Sequence, residues 1–365
     1  LEWSQRIVKE LGDRLPKTQE EIYAREQVIL HERQSTEIVT QALRIGDIAI
    51  TTTPNETYAL TGLKLKRQSP LKQTMVIELA NGGDGYIPPP EQHLLGGYNT
   101  WAARSAGLEV LAEPRIVESD LELLEKVTNQ RRKFYQQSRG PATKAILSLK
   151  PAAYWRLDEF NGPRARDLSG HQRDAFYEPA IAYFLEGPAS KSFCKEGETN
   201  RAVHFAGDRL QSRINDLSDQ FTISLWLWNG MPLDARDISG WMISQGPDHG
   251  LAAYGDHLGV GGTEFPGKLV FMNGADRKRH AGKTAIERWT WNHVALARDG
   301  KSLKVYLNGK LEIDLQTTSA KAGPMLDQIF FGGRTDNQSN WEGRLDEIAV
   351  FNRVLTDAEV QKLAK

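Results

Sequence analysis

The stretch WNHVALARDGKSLKVYLNGK, residues 291–310, decides the fold of the larger part of this chain. Residues 291–298 and 302–307 read as two strands, with Asp299-Gly300 between them and Asn308-Gly309 after them. Asp-Gly and Asn-Gly between strand-like runs signal hairpins, because a type I′ turn needs positive φ at both central residues. Upstream, FTISLWLW (221–228) sets Phe221, Ile223, Leu225 and Leu227 against Thr222, Ser224, Trp226 and Trp228. That is the period of two of a strand with one buried face. Residues 328–332 and 343–351 add two more strands. Many short strands with regular turns predict an all-β sandwich or barrel. Only the tail looks helical: Thr356 and Glu359 form a Thr-x-x-Glu capping box.

Composition divides the chain at residues 135–150. Seven of the nine tryptophans follow that point, which favours two separate folds. The segment before it alternates helix and strand. Ile7, Val8, Leu11 and Leu15 recur at helical spacing, and residues 17–32 read as a second helix. Residues 38–49 read as two strands turning near Gly46-Asp47. Residues 56–65 read as a short helix with Asn55 as its N-cap. Residues 75–79 read as a strand and 121–134 as an amphipathic helix. The fold class is therefore multidomain, α/β plus all-β. A small α/β domain spans 1–137, a linker 138–144 and the β domain 145–365.

The 365 residues carry a net charge of −1, so no global field draws the chain to nucleic acid or membrane. No apolar run approaches the ~20 residues of a membrane span. Cys194 is the only cysteine, which excludes an intrachain disulfide and a thiolate zinc cluster. No Ser or Cys stands at recognisable spacing from His204 or His293, so no catalytic triad is read. The chain begins at Leu1 without a signal segment. We read it as a mature or truncated form.

Residues 79–88, LANGGDGYIP, form the most constrained loop. Gly82, Gly83 and Gly85 free the backbone, and Pro88, Pro89 and Pro90 stiffen the exit. Two readings stand: a built site that carries Tyr86 and follows Glu56, or a tight turn between strand and helix.

Across residues 145–365 the pieces AYWRLDE (153–159), DLSG (167–170), AVHFAG (202–207), FTISLWLW (221–228), VYLNG (305–309) and GRLDEIAVFNR (343–353) occur in order. As a set they resemble a laminin-G-like, concanavalin-A-like jelly roll. That resemblance implies a two-sheet antiparallel sandwich that binds carbohydrate or a cell-surface or matrix protein. It also implies secretion or a periplasmic location, and in many members a structural Ca²⁺. Calcium takes six to eight oxygen ligands. The candidates are Asp167 and Asp346, with Asp158 behind them; the alternative is that these aspartates cap turns or satisfy buried amides. Trp228, Trp241 and Trp341 are the candidates for stacking on a sugar, although most rings in so Trp-rich a domain are core.

Residues 20–115 are similar to the C-terminal part of the catalytic domain of neutral, non-lysosomal ceramidases. The matching pieces are IGDIAI (45–50), PNE (54–56), LANGGDGYIP (79–88) and GGY (96–98). The resemblance implies that Glu56 and Tyr86 stand at zinc-ligand positions, with Asn55 where the family has glycine. It implies a zinc-dependent amidohydrolase acting on a lipid amide. The family's two histidine ligands lie upstream of its Pro-Gly-Glu segment, whereas here only His31 precedes Glu56 and His93 follows it. The zinc site is incomplete, and the expectation for this chain is a binding protein without catalysis. The alternative is the C-terminal piece of a hydrolase that is active only with an upstream segment.

Overall fold

A computed structural model describes residues 1–83, 85–251, 253–317 and 326–365. The chain divides into two compact units, Leu1–Gln136 and Gln137–Lys365.

Unit 1 begins with α1 (Glu2–Leu11) and α2 (Gln19–Arg33). Then come β1 (Gln41–Ile45), β2 (Ile48–Thr52), β3 (Glu56–Thr57), α3 (Ala59–Gln68), β4 (Gln73–Ile77), β5 (Tyr86–Ile87), α4 (Pro90–Leu95) and α5 (Ala112–Thr128). β1 pairs antiparallel with β2, and β2 pairs parallel with β4. One face of this sheet packs Ala49 and Val76 against Leu65 of α3 and Val117, Leu121 and Leu124 of α5. The sequence places a helix at 56–65. Instead Glu56 and Thr57 are extended and the helix starts three residues later than expected, at Ala59 behind Tyr58. Asn55 is no N-cap: it holds a left-handed φ of 57°. The last helix runs from Ala112 to Thr128 rather than over 121–134. Pro114 sits in its first turn, where a missing N–H costs nothing. Asn129, at φ 54°, ends it in the left-handed conformation.

Unit 2 opens with α6 (Pro141–Ser148), which occupies much of the expected linker. It continues through β6 (Ala153–Trp155), β7 (Arg164–Ala165), β8 (Ala175–Tyr177), β9 (Ile181–Glu186) and α7 (Ser190–Phe193). β10 (Arg201–Ala206), β11 (Leu210–Arg213), β12 (Gln220–Asn229), β13 (Ile238–Gln245), β14 (Asp256–Gly261), β15 (Lys268–Asn273) and β16 (Arg279–Ala285) follow. The chain ends with β17 (Trp291–Asp299), β18 (Ser302–Leu307), β19 (Lys310–Gln316), β20 (Gln328–Phe331), β21 (Glu342–Phe351) and α8 (Asp357–Leu363). The strands form two sheets of eight. The first runs β19-β18-β17-β12-β21-β10-β9, with β6 also on β21. The second runs β16-β15-β14-β13-β20-β11-β8-β7. All their ladders are antiparallel, so unit 2 is the expected sandwich.

The alternation in β12 decides its orientation. Phe221, Ile223, Leu225 and Leu227 have no exposed surface. On the other face, Thr222 is tied to the segment before α8: its hydroxyl donates to Arg353 O (3.1 Å) and accepts from Leu355 N (2.9 Å). Ile146, Phe193, Leu355, Val360 and Leu363 cover this end of the first sheet, over Ala295, Ala297 and Phe351. The opposite end, at Trp228, is left partly open.

Asn308 and Gly309 both have positive φ, 49° and 75°, as a type I′ turn requires. At the earlier hairpin Asp299 instead pairs with Ser302, so Gly300 and Lys301 are the loop residues and Gly300 alone turns left-handed. At the edges of the two sheets, Glu312 of β19 accepts from the backbone N–H of Lys283 (2.6 Å) and Thr284 (2.8 Å) in β16. It also accepts from the Thr284 hydroxyl (2.8 Å).

Candidate functional site

In unit 1 the loop of residues 79–88 is a built turn. A Cβ on Gly85, at φ 80°, would stand 2.1 Å from Ser105 O, and one on Gly82 would stand 2.4 Å from the Asn55 side chain. Asp84 of this loop lies outside the described residues. The turn delivers Tyr86 to β5, where β3 and β5 pair in parallel with Glu56 directly beside Tyr86. Tyr98 donates its hydroxyl to that of Tyr86 at 3.1 Å, and the two rings meet edge to face at 5.3 Å. The bond to Tyr98, then burial and nearby Glu56, push the Tyr86 phenol up to about 12. His93 is half-buried, and burial lowers its pKa; His31 is exposed on α2. Among the described residues, no three His, Cys, Asp or Glu side chains are grouped to hold a metal ion.

The calcium candidates of unit 2 separate. Asp167 accepts from Tyr154 N (3.0 Å), Ser169 N (2.8 Å), Ser169 Oγ (2.7 Å) and Arg173 N (3.0 Å). Burial works against its charge, yet these donors hold its carboxyl below the usual range. Both oxygens are engaged by these donors, the arrangement of a turn-capping aspartate. Asp346 is fully buried. One oxygen accepts from Asn200 Nδ2 at 2.7 Å and the other has no partner. Its neighbour Glu347 takes the Arg156 guanidinium (3.1 and 3.0 Å) and the Tyr154 hydroxyl. Glu159 takes Arg166 N (2.8 Å) and the Tyr177 hydroxyl (3.0 Å). Burial raises all four carboxyls of Asp158, Glu159, Asp346 and Glu347, with Glu159 and Glu347 reaching about 7. Glu347 is thus engaged by Arg156 and Tyr154, Asp346 by Asn200, and Glu159 by Arg166 N and Tyr177.

The tryptophans separate as sharply. Trp341 has no exposed surface and Trp241 has 1%. Gly240 lies so close to Trp341 that a Cβ there would be 2.9 Å from its ring. Trp241 packs on Ile238, Val270 and Met272. A ring enclosed on both faces cannot stack on a sugar, so both are core. Trp228 is different. The ladders set His204 beside Arg344, Arg344 beside Trp228 and Trp228 beside Trp291, one row across four strands. All four are partly exposed. The Arg344 guanidinium lies 4.8 Å above the Trp228 ring, and His204 meets that ring edge-on at 6.3 Å. Burial, then Arg344, lower the His204 pKa, which keeps its imidazole neutral near pH 7.

Sequence reasoning missed Trp289, which stands next to this row and keeps 62% of its surface open. Its φ is +63°, an outlier for a bulky side chain. The conformation is fixed by Trp289 N donating to Asn229 O at 3.0 Å. Arg288 lies 4.4 Å over the ring and donates to Gly230 O at 2.6 Å. The available signal was Trp289-Thr290-Trp291, two rings of one parity at the mouth of a strand. Indole faces offer stacking area, while Arg344 and neutral His204 offer directed hydrogen bonds.

Residues 205–361 match a family model described as the concanavalin A-like lectin/glucanases superfamily, of laminin G type. Among solved structures the chain is similar to domain 4 of an extracellular GH43 arabinanase from Geobacillus stearothermophilus, solved with arabinotriose. The TM-score is 0.44 at 17% identity, over 59% of this chain and 98% of that one. It is also similar to the sialidase of Trypanosoma rangeli (TM-score 0.42, 14% identity, 58% of this chain and 32% of that one). The receptor binding domain of botulinum neurotoxin C/D mosaic serotype gives 0.41 at 12% identity, over 59% and 51%. The chain thus spans about half of the neurotoxin domain and a third of the sialidase. No curated protein matches the chain. None of these likenesses supports the ceramidase resemblance.

Proposed function

We propose that unit 2 is a carbohydrate-binding module whose site is the open end of its first sheet. The observation that carries this reading is Trp289: an exposed indole, held in a costly backbone conformation, beside the row Trp291-Trp228-Arg344-His204. Strain of this kind, about 1–3 kcal/mol, persists where the surroundings impose it and gathers at ligand sites. In this reading Trp289 stacks on the C–H face of a sugar ring, and Arg344 and His204 take its hydroxyls. A secreted or periplasmic setting accords with such a ligand.

Calorimetry of the whole chain against a panel of neutral and acidic oligosaccharides tests the reading. Binding that weakens about tenfold or more in Trp289→Ala is expected, since truncating a buried aromatic anchor at a binding face commonly costs more than ~1 kcal/mol. Absence of binding across the panel, or affinity unchanged in Trp289→Ala, sinks it.

The pairing of Glu56 with Tyr86 favours a second reading for unit 1, as the oxygen half of a zinc-dependent amidohydrolase site. Two oxygens hold zinc weakly, since catalytic zinc takes three protein ligands. Metal analysis and N-acyl-sphingosine hydrolysis decide it. Stoichiometric zinc with turnover would establish the enzyme in this chain; metal-free, inactive protein leaves the binding module alone.

A further inference from the structure

The sheet of unit 1 has one face without cover. β1, β2 and β4 place Leu43, Ile45, Ile48, Ile50, Met75 and Ile77 on the side opposite the helices. Leu43 lies beside Ile50, Ile45 beside Ile48, and Ile50 beside Met75. Ile50 is partly buried; the other five keep between 40% and 64% of their surface open. The water-facing side of a sheet ordinarily alternates polar with the buried apolar side, and this face does not. The open apolar area here is roughly 500 Å², at the upper end of what a lone protein shows.

We infer that a second copy of this chain covers that face, through a two-fold contact of sheet on sheet. Charge selects the occupant. In an isologous contact a surface meets itself, so any charge on it meets its own sign. This face carries none: it is bounded by Gln41, Thr52 and Gln73. Arg44 alternates to the other side, where it donates to Thr128 O (3.3 Å). A charged partner would find no complement here. Area agrees: two such faces with their rims bury roughly 1,200 Å², the low end of specific interfaces. The pairing also puts two sandwiches in one particle, and with them two copies of the Trp289 face.

Sedimentation of the whole chain tests this between about 1 and 100 μM. A species of twice the monomer mass is expected in the upper part of that range. Leu43→Glu combined with Met75→Glu places four carboxylates in the contact and should weaken the dimer at least tenfold. Both sites are solvent-exposed in the monomer, so at the lowest concentration, where both proteins are monomeric, the thermal midpoint should hold. Should that variant fail to fold, hydrogen exchange of the unmodified chain gives a second measure. Amides of β1 and β4 should gain protection with concentration while β14 and β15 do not. A monomer across the whole range overturns the inference. So does a dimer that neither responds to the substitutions nor protects β1 and β4.

Discussion

Unit 1 and unit 2 both build a sheet around glycine turns, and they differ in what lies on each side of it. The first sheet of unit 2 buries Phe221, Ile223, Leu225 and Leu227 on one face, and α6, α7 and α8 cover part of the other. The three-stranded sheet of unit 1 packs one face on α3 and α5 and leaves the other to solvent. In unit 2 the small uncovered area carries indoles, a guanidinium and an imidazole; in unit 1 the uncovered area is aliphatic throughout. The chemistry of what is left bare tells a ligand face from a protein-facing one. Rings with polar neighbours can satisfy hydroxyls, whereas a charge-free aliphatic patch can only be excluded from water.

The comparison breaks first where burial is complete. Phe221→Ala in the sandwich should cost about 3–5 kcal/mol, while Leu43→Ala on the open face of unit 1 should change monomer stability by less than about 0.5 kcal/mol. Denaturant unfolding of each variant measures both, and near-equal losses would erase the distinction. Next comes Gly85→Ala, which sets a Cβ against Ser105 O at a left-handed φ. A loss of about 1–3 kcal/mol is expected, confined to unit 1. A neutral result would show that the turn before Tyr86 is free to move.

The pH response sharpens the contrast further. In unit 2, burial raises Glu159 and Glu347 to about 7 from an ordinary value of 4.5. A carboxyl raised in this way binds its proton more tightly folded than unfolded. Stability from it is therefore full below about pH 4 and falls as pH rises toward 7. The loss is of order 3 kcal/mol for one such group, before opposing terms. Glu159→Gln should flatten the slope of the thermal midpoint across that window. A slope unchanged by the substitution would mean that Arg166 N–H and the Tyr177 hydroxyl already hold Glu159 ionised. Smallest is the cap of α8. Thr356→Ala removes the acceptor for Glu359 N (3.3 Å) and should cost about 1 kcal/mol.

How much of this was legible follows from periodicity. β12 was readable because apolar residues of one face alternate with polar and aromatic residues of the other, and the hairpin of β17 and β18 because Asp299-Gly300 and Asn308-Gly309 punctuate it. Trp228 alternates with core leucines and had to point outward. Trp241 lies in β13, where every residue from Ile238 to Gln245 is buried. With both faces enclosed, no alternation marks which rings are available, and exposure could not be read. The pairing of Glu56 with Tyr86 was suggested by resemblance and could not come from spacing, because 29 intervening positions say nothing about register. Trp289 was missed because its exposure depends on a positive φ that propensity argues against.

The carboxylate of Glu312 has a consequence beyond its three hydrogen bonds. Sheets of eight strands end in unpaired backbone, and such ends recruit strands from other molecules. Glu312 ties the last strand of one sheet to the last strand of the other, occupying two amides that would otherwise be open. A neighbouring chain is therefore offered fewer free amides at that corner, and strand-to-strand fusion there is disfavoured.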